Sequence, residues 1–162
     1  MTKLISNFLR LALIGITGLI LFISTLIGLE GIPALVVTYP THAWLFYTIL
    51  TGIYVSVIIF LYGMYQAFRL LRNFELQDTF SVKTSLRLAK IKYAALAIAM
   101  LYFIGSPFAY IWADFEDAPG VLLIELIFLG LALAVTAFAK LAQSIVIEGT
   151  NKINSAEQQK LA

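Results

Sequence analysis

The segment from residue 43 to residue 68 reads AWLFYTILTGIYVSVIIFLYGMYQAF and carries no charged side chain. A helix rises about 1.5 Å per residue, so roughly 20 apolar residues cross the hydrocarbon core of a bilayer. This segment exceeds that minimum and is followed at once by Arg69. It is therefore predicted to form a membrane-spanning helix that is long enough to tilt.

Three further stretches meet the same test of length and polarity. Residues 11–29 and residues 93–113 carry no charge, and residues 118–139 carry a single acid, Glu125. The first stretch follows two basic residues like a signal peptide, but its length and the lack of a small-x-small site favour a retained span. The fold class is therefore all-α: an integral membrane four-helix bundle.

The composition agrees with a membrane protein. Hydrophobic residues make up 61% of the chain and charged residues 12%, whereas soluble domains are about half apolar and about a quarter charged. A soluble fold of this size cannot hide the surplus, which must face lipid. The absence of cysteine excludes disulfides and thiolate metal ligands, and the net charge of +2 does not suggest direct nucleic-acid binding.

The eleven basic residues predict the orientation in the membrane. Basic residues near helix ends are retained on the cytoplasmic side. Trp44 and Trp112 lie at the opposite ends of their spans, as expected for an outer interfacial belt. The N and C termini and the central loop are therefore predicted to be cytoplasmic. The basic residues are Lys3 and Arg10 before span one, Arg69, Arg72, Lys83, Arg87, Lys90 and Lys92 between spans two and three, and Lys140, Lys152 and Lys160 after span four.

The chain turns polar after the last span. Residues 1–147 are predicted to form the four-span membrane domain, and residues 148–162 a polar cytoplasmic tail. Within the tail, Ser155 and Gln158 have the spacing of a capping box, which predicts a separate short helix.

Small residues at helical spacing predict where the spans approach one another. In span four these residues are Gly130, Ala134 and Ala137. Such a stripe serves either the bundle itself or a homo-oligomer. In span three, Pro107 cannot donate a helical hydrogen bond, and Gly105 beside it is permissive. A kink is predicted here, either as a packing device or as a hinge that transmits a signal.

Glu125 lies well inside span four, about 9 Å beyond Pro119 along a helix. Intramembrane acids are functional candidates by default. Because no basic side chain lies on that side, the carboxyl must be protonated, hydrated or bonded to hydroxyls such as those of Tyr102, Ser106 and Tyr110. The alternative is that Glu125 reaches the outer headgroups.

The central loop holds a second candidate site. Ser81 is predicted to cap a helix that runs on into span three. Along this helix Lys83, Arg87 and Lys90 recur at i, i+4 and i+7 and form one basic face. The face fits either anionic lipid headgroups or docking of a soluble cytoplasmic protein.

The outer segment between spans three and four is acidic. Asp114, Glu116 and Asp117 are predicted to lie on the same side as the outer loop that holds Glu30 and His42, and hard divalent cations prefer carboxylate oxygens. No calcium-loop spacing is present, however, and Asp117 can also cap the fourth helix, with Pro119 in its first turn. No metal site, cofactor or catalytic constellation is predicted, so an enzyme is not expected.

An ordered series of short segments runs through roughly the last 100 residues: YQAFRLL at 65–71, IKYA at 91–94, LY at 101–102, PF at 107–108, AD at 113–114 and EDAPGV at 116–121. In this series the chain resembles the bacterial four-span membrane protein family catalogued as domain of unknown function 2975 (YoaS-like). The resemblance implies a multi-pass protein of the bacterial cytoplasmic (inner) membrane without established activity. It also implies a partner, because such proteins are often encoded beside a small helix-turn-helix transcription regulator.

Two functions follow as hypotheses. The first is a regulatory or sensory membrane protein whose basic loop and tail control that cytoplasmic regulator. Family members often end in an acidic stretch that closes with Leu-Thr-Val, which this chain lacks, so a shared role in docking through the tail is not carried over. The second is a small transport or resistance/immunity component of the membrane, supported by Glu125 and the kink at Pro107.

Overall fold

The computed structural model describes residues 2–75 and 81–161, nearly all of them in helices. Two short turns, at residues 39–42 and 116–118, connect helices at one end of the molecule, termed the turn end. The opposite end, where the chain begins and finishes, is termed the termini end. In chain order the elements are α1 (Thr2–Leu26), a π-helical turn (Ile27–Gly31), α2 (Ile32–Thr38), a 3₁₀ turn (Pro40–His42), α3 (Ala43–Glu75), α4 (Val82–Phe115) and α5 (Pro119–Leu161).

Four helical rods in the described part of the chain are long and apolar enough to cross a membrane. This confirms the prediction of an all-α bundle with four spans. Each rod extends beyond the span expected from the sequence, and the orientation of the termini stays a prediction. The rods are Ser6–Thr38, Pro40–Asn73, Val82–Phe115 and Pro119–Ala156.

The first rod stays helical past the residue where its span was expected to end. Pro33 has no N–H and cannot continue the regular hydrogen-bond pattern. The π-helical turn accommodates it, since the N–H of Ile32 bonds to the carbonyl of Ile27, five residues back. Glu30 was expected in an outer loop, but it lies inside this turn with its side chain exposed.

The helices pack mainly against their neighbours in the chain. Helix α4 packs along both α3 and α5, and α3 also packs against α1 and α2. Within residues 2–75 and 81–161, no comparable contact joins α1 to α5. The helices therefore form a row in which the first and the last, α1 and α5, do not pack closely against each other. Large apolar side chains on the outer faces of α1 and α5 are exposed and require lipid or another apolar surface to cover them.

The buried face of α5 differs from the one predicted. Gly130, Ala134 and Ala137 were expected at a helix contact, but all three are exposed. They therefore do not serve the bundle itself, and the alternative, a contact between copies of the chain, stays a prediction. The buried residues instead recur every seven positions, a period typical of helices packed side by side. This buried series begins with the acid of span four and comprises Glu125, Ala132, Ala139 and Val146.

Helix α5 continues through the polar tail. Ser155 lies inside the helix and its hydroxyl donates to the carbonyl of Asn151 at 2.9 Å, so the prediction of a separate capped helix is wrong. Glu148 and Lys152 form an exposed ion pair of 2.8 Å one turn apart. Such pairs support helix continuation in polar sequence.

Candidate functional site

Glu125 lies about two turns after the start of α5 and faces α4. Its side chain is 9% exposed, so it does not reach the surface. A methyl group built on Gly105 would lie 3.2 Å from Oε1 of Glu125. The missing side chain at Gly105 therefore provides the space that the carboxyl group occupies. Oε2 is buried and has no hydrogen-bond partner among the described residues.

The hydroxyls considered as partners for Glu125 are engaged or directed elsewhere. Ser106 Oγ donates to the backbone carbonyl of Tyr102 at 3.1 Å. The ring of Tyr102 stacks on Phe128, with ring centroids 5.8 Å apart. Tyr110 is 60% exposed on the outside of α4. None of the three hydroxyls bonds to Oε2 of Glu125.

Glu125 lines a cavity of about 810 Å³ in the half of the bundle nearest the turn end. All four rods contribute to its walls, which are almost entirely aliphatic and aromatic. Among the described residues that line it, Glu125 is the sole acid, and none is Lys, Arg or His. Cavities of this size and polarity are typical of sites for small organic ligands.

The small hydroxyl side chains in the cavity wall do not supply a donor to Glu125. Each donates its proton to a backbone carbonyl three or four residues earlier in its own helix, a common arrangement for Ser and Thr in helices. The distances lie between 2.7 and 3.1 Å, and the residues are Ser24, Thr48, Thr51 and Ser56.

Aromatic rings pack at the turn end of the cavity. Phe46 is fully buried and meets Trp112 edge-on, with centroids 5.4 Å apart. Tyr39 lies 5.6 Å from Phe115, and His42 stacks on Phe115 at 4.4 Å. His42 is thus part of a packed cluster. The sequence alone did not lead to a prediction of this cluster, although aromatic residues beside both turns could have indicated that their rings pack together.

The outer acids do not converge on a common point. Glu116 accepts a hydrogen bond from Trp112 Nε1 at 2.7 Å. Asp117 adopts a left-handed backbone, with φ of 51°, and α5 begins at Pro119. Ala118 therefore occupies the cap position, and the prediction of an Asp117 cap is wrong. Among the residues described, no group of three or more His, Asp and Glu is placed to hold a metal ion.

The two residues of the predicted hinge lie on different faces of α4. Gly105 faces Glu125 at the contact with α5, whereas Pro107 is exposed. Helix α4 remains helical through both positions. The structure therefore assigns Gly105 to the cavity, and a hinge at Pro107 stays a prediction.

The start of α4 confirms the predicted cap at Ser81. Its Oγ accepts a hydrogen bond from the backbone N–H of Thr84 at 3.2 Å. Of the predicted basic face, Lys83 and Lys90 are exposed, whereas Arg87 is half-buried and donates a hydrogen bond to the backbone carbonyl of Arg69 on α3. Lys83 and Lys90 are thus the two exposed members of the predicted basic face.

Apolar side chains lie beside these lysines. Val82 is 67% exposed and Leu86 is 58% exposed. Helix α5 runs alongside, since Lys92 Nζ donates to Gln143 Oε1 at 3.1 Å and a gap of about 150 Å³ separates the first turn of α4 from residues 147–151. Residues 81–92 of α4 and 143–156 of α5 form a pair of helices at the termini end, termed the platform.

A buried polar contact joins α3 to the platform. Asn73 Nδ2 donates to Thr84 Oγ1 at 3.4 Å, and the two side chains are 7% and 0% exposed. Gln66, one heptad before Asn73, is also buried, at 4% exposed. Because Gln66 and Asn73 are seven residues apart, the sequence could have indicated that they share one face of α3. Buried polar contacts of this kind fix the relative positions of helices.

Comparison with known proteins agrees with this architecture. Residues 32–159 match a family described as a protein of unknown function, DUF2975. A relative from Bacillus subtilis (strain 168), the uncharacterized membrane protein YoaS, is 32% identical over 150 residues, which cover 91% of this chain and 92% of the relative. No solved structure matches the chain. The matched region contains the Glu125 cavity walls of α3, α4 and α5 and the whole platform, and the chain is a membrane protein that belongs to the DUF2975 family.

Proposed function

We propose that this protein is a regulatory or sensory membrane protein whose platform holds a small cytoplasmic helix-turn-helix transcription regulator. The observation that carries the proposal is the surface of the platform, where Val82 and Leu86 are exposed beside Lys83 and Lys90. The family resemblance suggests the kind of partner, and the distribution of basic residues predicts that the platform lies in the cytoplasm.

The composition of this surface suits a protein partner as well as lipid headgroups. Anionic headgroups attract lysines without requiring apolar neighbours. Protein interfaces combine an apolar centre with a charged rim. Val82 and Leu86 are four residues apart and so lie on one face of α4, with Lys83 and Lys90 near it. A partner with an apolar groove and acidic rim complements this arrangement.

The platform is directly connected to the membrane cavity. Helix α4 runs without interruption from the platform to Gly105, and α5 runs without interruption from Glu125 to the platform. Continuous helices thus link the Gly105–Glu125 contact to both platform helices, and a change in spacing at this contact is the proposed signal. This connection supports a sensory role.

Affinity capture of the tagged full-length protein from mild detergent tests the proposal. We expect a helix-turn-helix protein to copurify with the native chain and to be lost from the Lys83→Gln/Lys90→Gln variant. The control variant Arg72→Gln/Lys140→Gln removes the same charge from exposed positions on α3 and α5 outside the platform, and it should retain the partner. Recovery of no specific soluble protein, together with unchanged transcription after gene deletion, would reject a regulatory function.

A second candidate function is a small transport or resistance component of the membrane. The cavity and the buried carboxyl of Glu125 favour it, because a carrier needs an internal site for its substrate. In this case Glu125→Gln should abolish the drug or peptide tolerance that the native protein confers. Glu30→Gln is the matched control, since Glu30 is exposed and does not line the cavity. Equal tolerance in both variants counts against transport.

A further inference from the structure

The cavity beside Glu125 has the size and accessibility of a ligand site. Its volume of about 810 Å³ lies within the range of about 300–1,000 Å³ found for sites that hold small organic molecules. Helix α1 packs on α3 and α5 packs on α4, but no extended contact joins α1 to α5 in the described ranges. A molecule dissolved in the bilayer can therefore enter between these two helices.

Oε2 of Glu125 determines which polar group a ligand of this cavity must carry. The side chain is 9% exposed, and Oε2 lacks a hydrogen-bond partner within residues 2–75 and 81–161. A carboxylate buried without a partner is strongly disfavoured, and a cation or a hydrogen-bond donor removes that penalty. Because no described lining residue is Lys, Arg or His, a ligand that carries a cation supplies the partner that these residues do not.

We propose that this cavity binds a small lipophilic amine, whose protonated nitrogen donates to Oε2 of Glu125. The apolar body of the amine packs against Ile27, Ile53 and Phe108, which line the cavity from three different rods. Charge-assisted hydrogen bonds are stronger than neutral ones, so the site prefers an amine to an alcohol of the same shape. Binding of an amine in this cavity is a function beyond the proposed docking on the platform, because it does not require a soluble partner to be bound there.

The test uses the full-length protein in lipid nanodiscs, with 1-adamantylamine as the probe and 1-adamantanol as its uncharged analogue. Trp112 lines the cavity and reports its occupancy by fluorescence once Trp44→Phe is present in every variant. We expect saturable binding of the amine, and binding of the alcohol weaker by about tenfold or more. Glu125→Gln should weaken amine binding by a similar factor, whereas Glu30→Gln should bind as the native protein does.

Gly52→Leu provides a second variant that leaves the carboxyl group intact. Gly52 lines the cavity, and no atom lies within 4 Å of the position of an added Cβ. A leucine there occupies ligand space and should weaken the binding of amine and alcohol alike. The proposal is overturned if the native protein shows no saturable amine binding, if amine and alcohol bind equally, or if either Glu125→Gln or Gly52→Leu leaves amine affinity unchanged.

Discussion

Oε1 of Glu125 lies 3.2 Å from the place that a side-chain carbon on Gly105 would occupy, closer than ordinary van der Waals contact. The carboxyl group of Glu125 on α5 thus packs directly against the backbone of α4 at Gly105. This contact connects the membrane cavity with both helices of the platform. It also makes Gly105 a position where even the smallest side chain disturbs the site.

Gly105→Ala is expected to destabilise the protein relative to Gly130→Ala. Replacing Gly by Ala inside a helix normally stabilises by about 1 kcal/mol, and Gly130 has no atom within 4 Å of an added Cβ. At Gly105 this gain is reduced, because Oε1 of Glu125 must shift by a few tenths of an ångström to admit the added Cβ, and overpacking costs up to about 1–3 kcal/mol. Heat unfolding in detergent, followed by circular dichroism, should give a lower Tm for Gly105→Ala. Equal Tm values would contradict the described contact.

Gly28→Ala is expected to destabilise the contact between the π-helical turn and α3. An added Cβ at Gly28 would lie 1.9 Å from the hydroxyl oxygen of Tyr54, so the tyrosine must move. The hydroxyl is the far end of a side chain that is 41% exposed and free to shift, so we expect a loss below the about 1–3 kcal/mol of overpacked cores. Gly18→Ala is the control, since nothing lies within 4 Å of its added Cβ. Combining Gly28→Ala with Tyr54→Phe should recover part of the loss, and a strictly additive double variant would argue against direct contact.

Thr84→Val is expected to destabilise the attachment of α4 to α3. Valine has nearly the same shape but removes the hydroxyl that accepts a hydrogen bond from Asn73 Nδ2. A buried donor left without its acceptor costs about 1–3 kcal/mol. Thr84→Ser retains the hydroxyl and should lose less. Hydrogen exchange at the start of α4 measures the difference, and similar protection in both variants would show that the contact contributes little.

The sequence predicted the features that depend on local composition. Length and polarity identified the four spans, and the position of Ser81 before a helical pattern identified the cap of α4. Both follow from the chemistry of a short segment by itself. The prediction that Glu125 is a candidate site also rested on a single residue, a carboxyl group in an apolar span.

Features that depend on helix contacts were not predictable in the same way. The small residues of α5 were expected on the face of Gly130, but the buried face runs through Glu125 and Ala132. Small size permits close approach on any face, and only the partner helix decides which one is used. The contact between Gly105 and Glu125 likewise depends on the register of α4 against α5. The cavity could not be predicted, because it exists where packing is incomplete.

The orientation of the bundle decides whether the platform can meet a cytoplasmic partner. The chain contains no cysteine, so single introduced cysteines report topology without background labelling. Asp114 lies near the turn end and Lys83 at the termini end, and both side chains are exposed. An impermeant maleimide should label Asp114→Cys in intact cells and Lys83→Cys only after the cells are opened, because basic residues are retained inside. The opposite pattern would place Lys83, Lys90, Val82 and Leu86 outside the cell, where no transcription regulator could bind them.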